Sequence, residues 1–392
     1  MANTLKFGAG QWATKEGSTL AYNDENDNYK PLPFDFTRAS NATVVNKAGL
    51  IETVGNGIPR IDFLGNTQGA LKLEPQRSNL FTYSEAISNF SPKSGTFVDN
   101  FAISPDGTQN ATKLTAINAD PYFYQSIAVG SGDYTISVYV KGIGSTIGKE
   151  FLLILDSGVN STPQTITGEW KRFTFSGTLS AGTAIRGLEI PNPAVSGDEV
   201  LVWGLQVEQG SYATSYIPTN GSTIQRQADT ASGSGNSEVF NSQEGVLFLD
   251  TNFVSNSGVQ VLCSVHDFAA NKRLEIWANS NLINGFIGGS SNITVGSSNL
   301  INGSHKIALN YKSGNSSFYV DGFLIGSSST TFTIAELTKM TLGYYNTTQY
   351  QSESPTKELG YYDEILTDLE LETLTSYRSL NELVTELNLN AL

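Results

Sequence analysis

Residues 305–326 read HKIALNYKSGNSSFYVDGFLIG. Asp321-Gly322 is the strongest turn signal in the chain, because a type I′ turn needs φ above zero at both central positions and Asp-Gly tolerates this. The signal makes SSFYVDGFLIG a hairpin and pins one local register. Other strand-like runs surround it in steady order: VLFLD, VQVLCSV and RLEIWAN upstream, KMTLGY and ELGYYDEIL downstream. Short β-prone runs separated by Gly, Ser and Asn predict a sandwich over residues 231–366. Its entry, ASGSGNSEVFNSQE at 231–244, opens with a Ser/Gly patch that reads as a linker.

A second sandwich lies upstream. In YTISVYV at 134–140, Tyr134, Ile136, Val138 and Val140 share one face, and FLLIL at 151–155 is a continuous apolar run suited to a strand covered on both sides. EWKRFTF and EVLVWGLQVE add two more strands, which predicts a jelly roll over 84–230. Residues 1–83 read as a separate small module of β meander and hairpin, with Thr43–Asn46 and Leu50–Val54 flanking a turn at Lys47-Ala-Gly49. At the C-terminus, Thr367 to Glu370 has the form of a capping box, with Leu366 and Leu371 placed for a hydrophobic staple. A second box, Ser379 to Glu382, precedes Leu380, Leu383 and Leu387 on one helical face, so 367–392 is predicted to be helical. The fold class is mostly β: an N-terminal module, a jelly roll, a second sandwich and short C-terminal helices.

Composition narrows the function classes. With 37 acidic against 23 basic residues the formal net charge is −14, which argues against nucleic acid as a partner, since phosphate binding needs clustered Lys and Arg. The single cysteine, Cys263, rules out an intramolecular disulfide and reads as a small buried residue within VQVLCSV. No stretch approaches the ~18 apolar residues of a membrane span, and the N-terminus lacks the basic and apolar segments of a signal peptide.

Catalytic signatures are absent. There are two histidines, His266 and His305, and His266-Asp267 adjacency on a strand points the side chains to opposite faces. No H-E-x-x-H, G-x-S-x-G or phosphate loop occurs. Two distant carboxylates can still converge to hydrolyse a glycoside, so a depolymerase stays open as an alternative. A sugar site asks for less: an aromatic platform with a few amide or carboxylate partners. Trp277, Tyr344, Tyr345 and Tyr350 are the candidates, with Tyr350 carried outward on the polar loop NTTQYQSESP, whereas Trp170 and Trp203 read as core. Arg38, Arg60 and Arg77 form a basic exception in an acidic chain, equally consistent with local ion pairing and with docking to an acidic partner.

The run DFTRASNATVVNKAGLIETVGNGIPRIDF, followed by LKLEPQRSNLFTYSEAIS, resembles a segment of phage virion proteins, especially tail or head appendage proteins of phages that infect Bacteroidota. The resemblance covers about residues 34–88. Residues 204–229, GLQVEQGSYATSYIPTNGSTIQRQAD, resemble the closing segment of the carbohydrate-binding-module-like jelly roll of such proteins, with Gln225 where Thr is more usual. HKIALNYKSGNSSFYVDGFLIG and LGYYDEILTDLELETL are similar to the central hairpin and the closing strand and helix of concanavalin A-like, laminin G-like sandwiches. The resemblance implies a virion location, attachment to other virion proteins through the N-terminal module, binding of host surface polysaccharide or receptor without catalysis, and a homotrimer. Modules of this kind bind glycans in some cases through Ca²⁺, for which Asp250 and Asp321 are the candidates, each of which otherwise reads as a turn residue. A purely structural capsid or tail decoration is the other alternative.

Overall fold

The structure, a computed structural model, describes residues 5–24, 28–118, 121–255, 258–267, 272–343 and 352–386. Two compact units divide the chain: Met1–Ala39, Gly55–Pro75 and Ala228–Leu392 form the first, and Ser40–Val54 and Gln76–Gln227 the second. Among the described residues no helix is long and apolar enough to cross a membrane.

The first unit is a sandwich of two antiparallel sheets. One orders Phe323–Ser328, Ser316–Val320, Gly303–Lys312, Glu244–Phe253, Thr356–Tyr362, Leu5–Gly8, Tyr22–Asn23 and Lys30–Pro31, with Ala70–Lys72 and Arg60–Asp62 joined at its side, ten strands in all. The other has nine strands and runs from Thr14–Lys15 through Ser18–Thr19, Phe34–Thr37, Thr230–Ser234, Lys339–Leu342, Val259–His266, Arg273–Asn279 and Leu282–Gly288 to Asn292–Asn299. Alternation along each strand sends one set of side chains inward, and Phe7, Phe34, Phe36, Leu249, Ile276 and Phe318 belong to one shared core. Cys263 lies in that core, fully buried, and burial pushes its thiol well above the usual range. At the predicted turn, Asp321 and Gly322 have φ of 51° and 84°.

Two expectations are corrected here. Residues 1–83 are not a module of their own: Leu5–Gly8 pairs with Thr356–Tyr362, and Phe34–Thr37 pairs with Thr230–Ser234, so N-terminal strands complete both sheets of the C-terminal sandwich. Nor is 231–244 simply a linker. Thr230–Ser234 is an inner strand of the nine-stranded sheet, and Ser234 is fully buried, its hydroxyl donating to the Leu32 carbonyl at 2.6 Å. The Gly/Ser composition answers to packing: a Cβ on Gly235, at φ 81°, would stand 2.4 Å from the Phe240 ring.

The second unit is also a sandwich, with sheets of six and five strands and the core-facing quartet Tyr134, Ile136, Val138 and Val140 in one cluster. Glu150–Asp156 alternates, with Phe151, Leu153 and Leu155 buried and Leu152 and Ile154 half-buried, so its outer face is less covered than a continuous apolar run suggests. Trp203 is buried, and Trp170 packs at the edge of the same cluster. Ala42–Val45 pairs with Ile51–Val54 as the sequence predicts, but this hairpin belongs to the second unit whereas Arg38 and Arg60 belong to the first. Helix α1, Asp368–Thr375, starts at a complete Thr367–Glu370 capping box, and Leu366 and Leu371 are both buried. Helix α2, Leu380–Glu386, follows; at its start Glu382 N donates to Ser379 Oγ at 3.1 Å. Leu380 is left largely exposed.

Candidate functional site

The arginines singled out in the sequence resolve first. Arg38 and Arg60 are buried in the first unit and share one carboxylate, Asp229. Arg38 Nη1 donates to Asp229 Oδ1 at 3.0 Å and Nη2 to the Gly55 carbonyl at 2.6 Å, while Arg60 Nη1 donates to Glu74 Oε2 at 2.7 Å and Nη2 to Asp229 Oδ2. The Glu74 and Asp229 backbones complete the lattice, with Glu74 N on Asp229 Oδ2 at 2.9 Å and Asp229 N on the Glu74 carbonyl at 3.0 Å. Burial works to lower the Arg60 pKa, yet Glu74 and Asp229 hold it above its ordinary value. These side chains are therefore not docking residues; the local ion-pairing reading is the one the geometry shows. Arg38, Gly55, Glu74 and Asp229 each stand within two residues of a point where the chain passes from one unit to the other.

The same holds for the patterned residues of the second unit. Arg77 is half-buried, donates to Tyr212 Oη at 2.9 Å and lies 3.8 Å from Glu208 Oε2. Glu208, fully buried, accepts from Thr214 N at 2.8 Å, Thr214 Oγ1 at 2.6 Å and Gln206 Nε2 at 2.7 Å. Asn79 Nδ2 donates to the Leu205 and Ile217 carbonyls, and Tyr216 Oη donates to Glu85 at 2.8 Å. Each polar residue of the quoted segments that is buried here finds partners inside its own unit, so the pattern builds scaffold.

A different arrangement occupies the outer face of the nine-stranded sheet. Along Arg273–Asn279, Leu274, Ile276 and Ala278 enter the core, which leaves Arg273, Glu275 and Trp277 on the opposite side. Strand register sets Ser264 and Phe286 beside Glu275, Val261 and Asn284 beside Trp277, and His266 beside Arg273. Arg273 Nε meets Glu275 Oε2 at 2.8 Å, and its guanidinium stands 4.8 Å from the Phe286 ring centre. Trp277 and Phe286 are half-buried, so each offers ring surface outward. Asn284 donates through Nδ2 to the Leu282 carbonyl and accepts from Ser297 Oγ at 2.6 Å.

The electrostatics of this face are unbalanced. Glu275 is 3% exposed, and among the described residues its Oε1 receives no hydrogen bond. Burial raises its pKa above the usual carboxylate range, and Arg273 offsets that only in part. His266, beside Arg273, is held down to about 4 by burial, and its Nε2 lies 2.9 Å from Thr341 Oγ1. A buried acceptor without a donor, flanked by two outward aromatic rings, is a setting that a hydroxyl-bearing ligand can complete.

Of the sugar candidates read from sequence, Trp277 belongs to this face, while Tyr344, Tyr345 and Tyr350 lie outside the described residues. The described end of their loop is tied down: Ser352 N donates to the Val261 carbonyl at 3.2 Å, and Ser352–Ser354 are buried. Arg273, Glu275 and Phe286 were not singled out, although RLEIWAN already places Arg273 and Glu275 on the face of Trp277; charged alternate positions on a strand read as solvated. Of the calcium candidates, Asp321 accepts from Lys306 N at 2.9 Å and pairs through Oδ2 with His305 Nδ1 at 2.6 Å, so it is a turn residue already engaged. Asp250 lies 4.0 Å from Lys357 Nζ. No group of three or more His, Cys, Asp or Glu able to hold a metal occurs among the described residues.

No family model matches the chain, and no curated protein matches it. Solved structures similar to parts of it are sandwiches. The CBM40 of Ruminococcus gnavus IT-sialidase, bound to α2,3 sialyllactose, is 16% identical and covers 37% of this chain and 94% of its own, with a TM-score of 0.32. CBM6cm-2 from Cellvibrio mixtus lichenase 5A, in complex with cellotriose, is 15% identical over 33% of this chain and 98% of its own, with a TM-score of 0.25. The CBM22 tandem of Paenibacillus barcinonensis Xyn10C is 10% identical over 73% of this chain and 96% of its own, with a TM-score of 0.26. The likeness is one of β-sandwich architecture alone.

Proposed function

We propose that this chain is a glycan-binding appendage of a virion, engaging host surface polysaccharide without catalysis on the outer face of the nine-stranded sheet. The observation that carries the binding reading is the Glu275 carboxylate, buried with one oxygen unmatched among the described residues, on the same sheet face as the half-buried rings of Trp277 and Phe286. Pyranose rings stack their C–H faces on such aromatics while their hydroxyls donate to a fixed carboxylate. The virion part rests on the resemblance of residues 34–88 and 204–229. Binding rather than turnover is favoured because Glu275 is already paired to Arg273, and His266 is held neutral by burial. Weak sites of this kind gain strength through several copies on one particle, which a trimer supplies.

The test uses the full chain, because N-terminal strands complete both sheets of the unit that bears the site. The chain is applied to an array of bacterial polysaccharides, with and without Ca²⁺, and the eluate is assayed for reducing ends. Saturable retention without product release is expected, and Trp277→Ala should weaken it at least about tenfold, equivalent to ~1.4 kcal/mol of contact. Retention indifferent to Trp277→Ala would remove the site from this face, and release of reducing ends would make the protein a depolymerase.

A further inference from the structure

The outer face of the ten-stranded sheet carries a second, unrelated feature. On Gly303–Lys312, Ile307, Leu309 and Tyr311 point to the core, while Ala308 and Asn310 point outward. Helix α1 covers part of that outer face: its Leu371 packs with Ala308 and Tyr319. One row further along, register aligns Asn310 with Ser317 and Ser317 with Ser327, a polar row across three strands. This row lines a pocket of about 530 Å³, to which the start of α1 contributes Thr367 and Asp368.

We propose that this pocket is a binding site for a neutral pyranose unit. Asn310 is 4% exposed, its Nδ2 donates to Ser317 Oγ at 3.2 Å, and its Oδ1 receives no hydrogen bond among the described residues. Leaving a buried amide acceptor unmatched costs roughly 1–3 kcal/mol, so its occurrence in a cavity wall signals an incoming donor. The other lining groups define that donor. Ser317, Ser327 and Thr367 are hydroxyls, Asp368 is a carboxylate, and among the described residues no Lys, Arg or His lines the pocket. An anionic ligand would meet Asp368 without a compensating cation, whereas sugar hydroxyls donate to Asn310 and Asp368 and exchange hydrogen bonds with the serines. Leu324, 54% exposed at the pocket wall, offers the apolar surface that the C–H face of a pyranose needs. The volume falls in the range of small-ligand clefts and holds one sugar with its ordered water.

This inference does not depend on the open-face reading, and its test separates the two. Methyl glycosides of glucose, galactose, mannose and N-acetylglucosamine are titrated into the full chain up to about 20 mM, the range of single weak sugar contacts, and followed by saturation-transfer NMR. At least one should bind, with sialic acid giving no response. Asn310→Leu should weaken binding about tenfold, the loss of one hydrogen bond to a buried amide. Because that position is buried, Ser327→Trp supplies the check: Ser327 is exposed on an edge strand, so a ring there fills the pocket without disturbing the core, and binding should vanish at unchanged Tm. The titrations are compared in the Trp277→Ala background, so that the other face contributes nothing to the response. No response to any neutral glycoside, a stronger response to sialic acid, or binding that survives Ser327→Trp would overturn the assignment.

Discussion

Arg60 and Arg273 both belong to the first unit and both hold a carboxylate, Arg60 through Nη1 to Glu74 at 2.7 Å and Arg273 through Nε to Glu275 at 2.8 Å. Around Arg60 the shared carboxylate is met from three sides: Asp229 binds both Arg38 and Arg60, and the Glu74 amide donates to its Oδ2. Around Arg273 this does not hold, since Glu275 keeps one oxygen without a donor among the described residues, beside two half-buried rings. The two carboxylates, Asp229 and Glu275, thus separate by satisfaction. A carboxylate with both oxygens met has no capacity left for a ligand and serves to fix where distant segments meet. An unsaturated one carries a standing cost that a ligand can relieve.

The largest effect is expected where the saturated cluster is broken. Asp229→Asn leaves two fully buried guanidinium groups short of their shared counter-charge, and removing one partner of a buried pair costs about 3–5 kcal/mol. Urea unfolding should show a large drop in midpoint. A loss under about 1 kcal/mol would mean that the network is not what holds these segments together.

Glu275→Gln is the matched experiment on the open face. The folded pKa of Glu275 is raised, so ionisation is disfavoured by folding, and stability is lost as pH rises through that value. An isosteric neutral side chain removes this burden while it costs Arg273 a partner, and Arg273 retains some solvent and the Phe286 ring. The two changes offset, so stability should move by less than about 1 kcal/mol while polysaccharide retention falls about tenfold. If Glu275→Gln destabilised the chain as severely as Asp229→Asn, the open-face pair would be scaffold as well.

What could be read from the sequence was local. The turn at Asp321-Gly322, the Thr367–Glu370 box and the alternation from Tyr134 to Val140 each depend on a few neighbouring residues, and each appears in the fold. What was missed depends on distance along the chain. Arg38 meets Asp229 191 residues away, and Leu5 pairs with Tyr361. No periodicity encodes such partners, so an arginine bound for a buried ion pair reads like one bound for a docking surface. Thr230–Ser234 reads differently: Gly and Ser mark flexible linkers by composition, yet here Gly233 is the small residue that an inner strand needs beside Asp35, and Gly235, just past the strand, the one that fits beside Phe240. On the open face, Trp277 was legible as an aromatic on a strand, but the unmatched oxygen of Glu275 arises only when the strands beside it are in register.

The two histidines extend the contrast with smaller effects, read as slopes with pH. His305 resembles the saturated cluster: Nδ1 faces Asp321 at 2.6 Å and Nε2 faces the Ile301 carbonyl at 2.9 Å, so both ring nitrogens meet acceptors and the cation is the satisfied form. Burial opposes this, but Asp321 prevails and the pKa is raised. Its contribution is therefore complete below the unfolded value, about 6.5, and is lost as pH rises through the folded one. His266 differs: burial, with Lys339 adding to it and Asp267 opposing it only in part, lowers it to about 4, so its contribution is present above about 6.5 and is lost as pH falls toward 4. In urea midpoints measured across this range, His305→Gln should cost more at pH 6 than at pH 9, and His266→Gln should flatten the acid decline between pH 6.5 and 4. Slopes of the same sign would show that Asp267 outweighs burial at His266, and would remove the contrast between the two histidines.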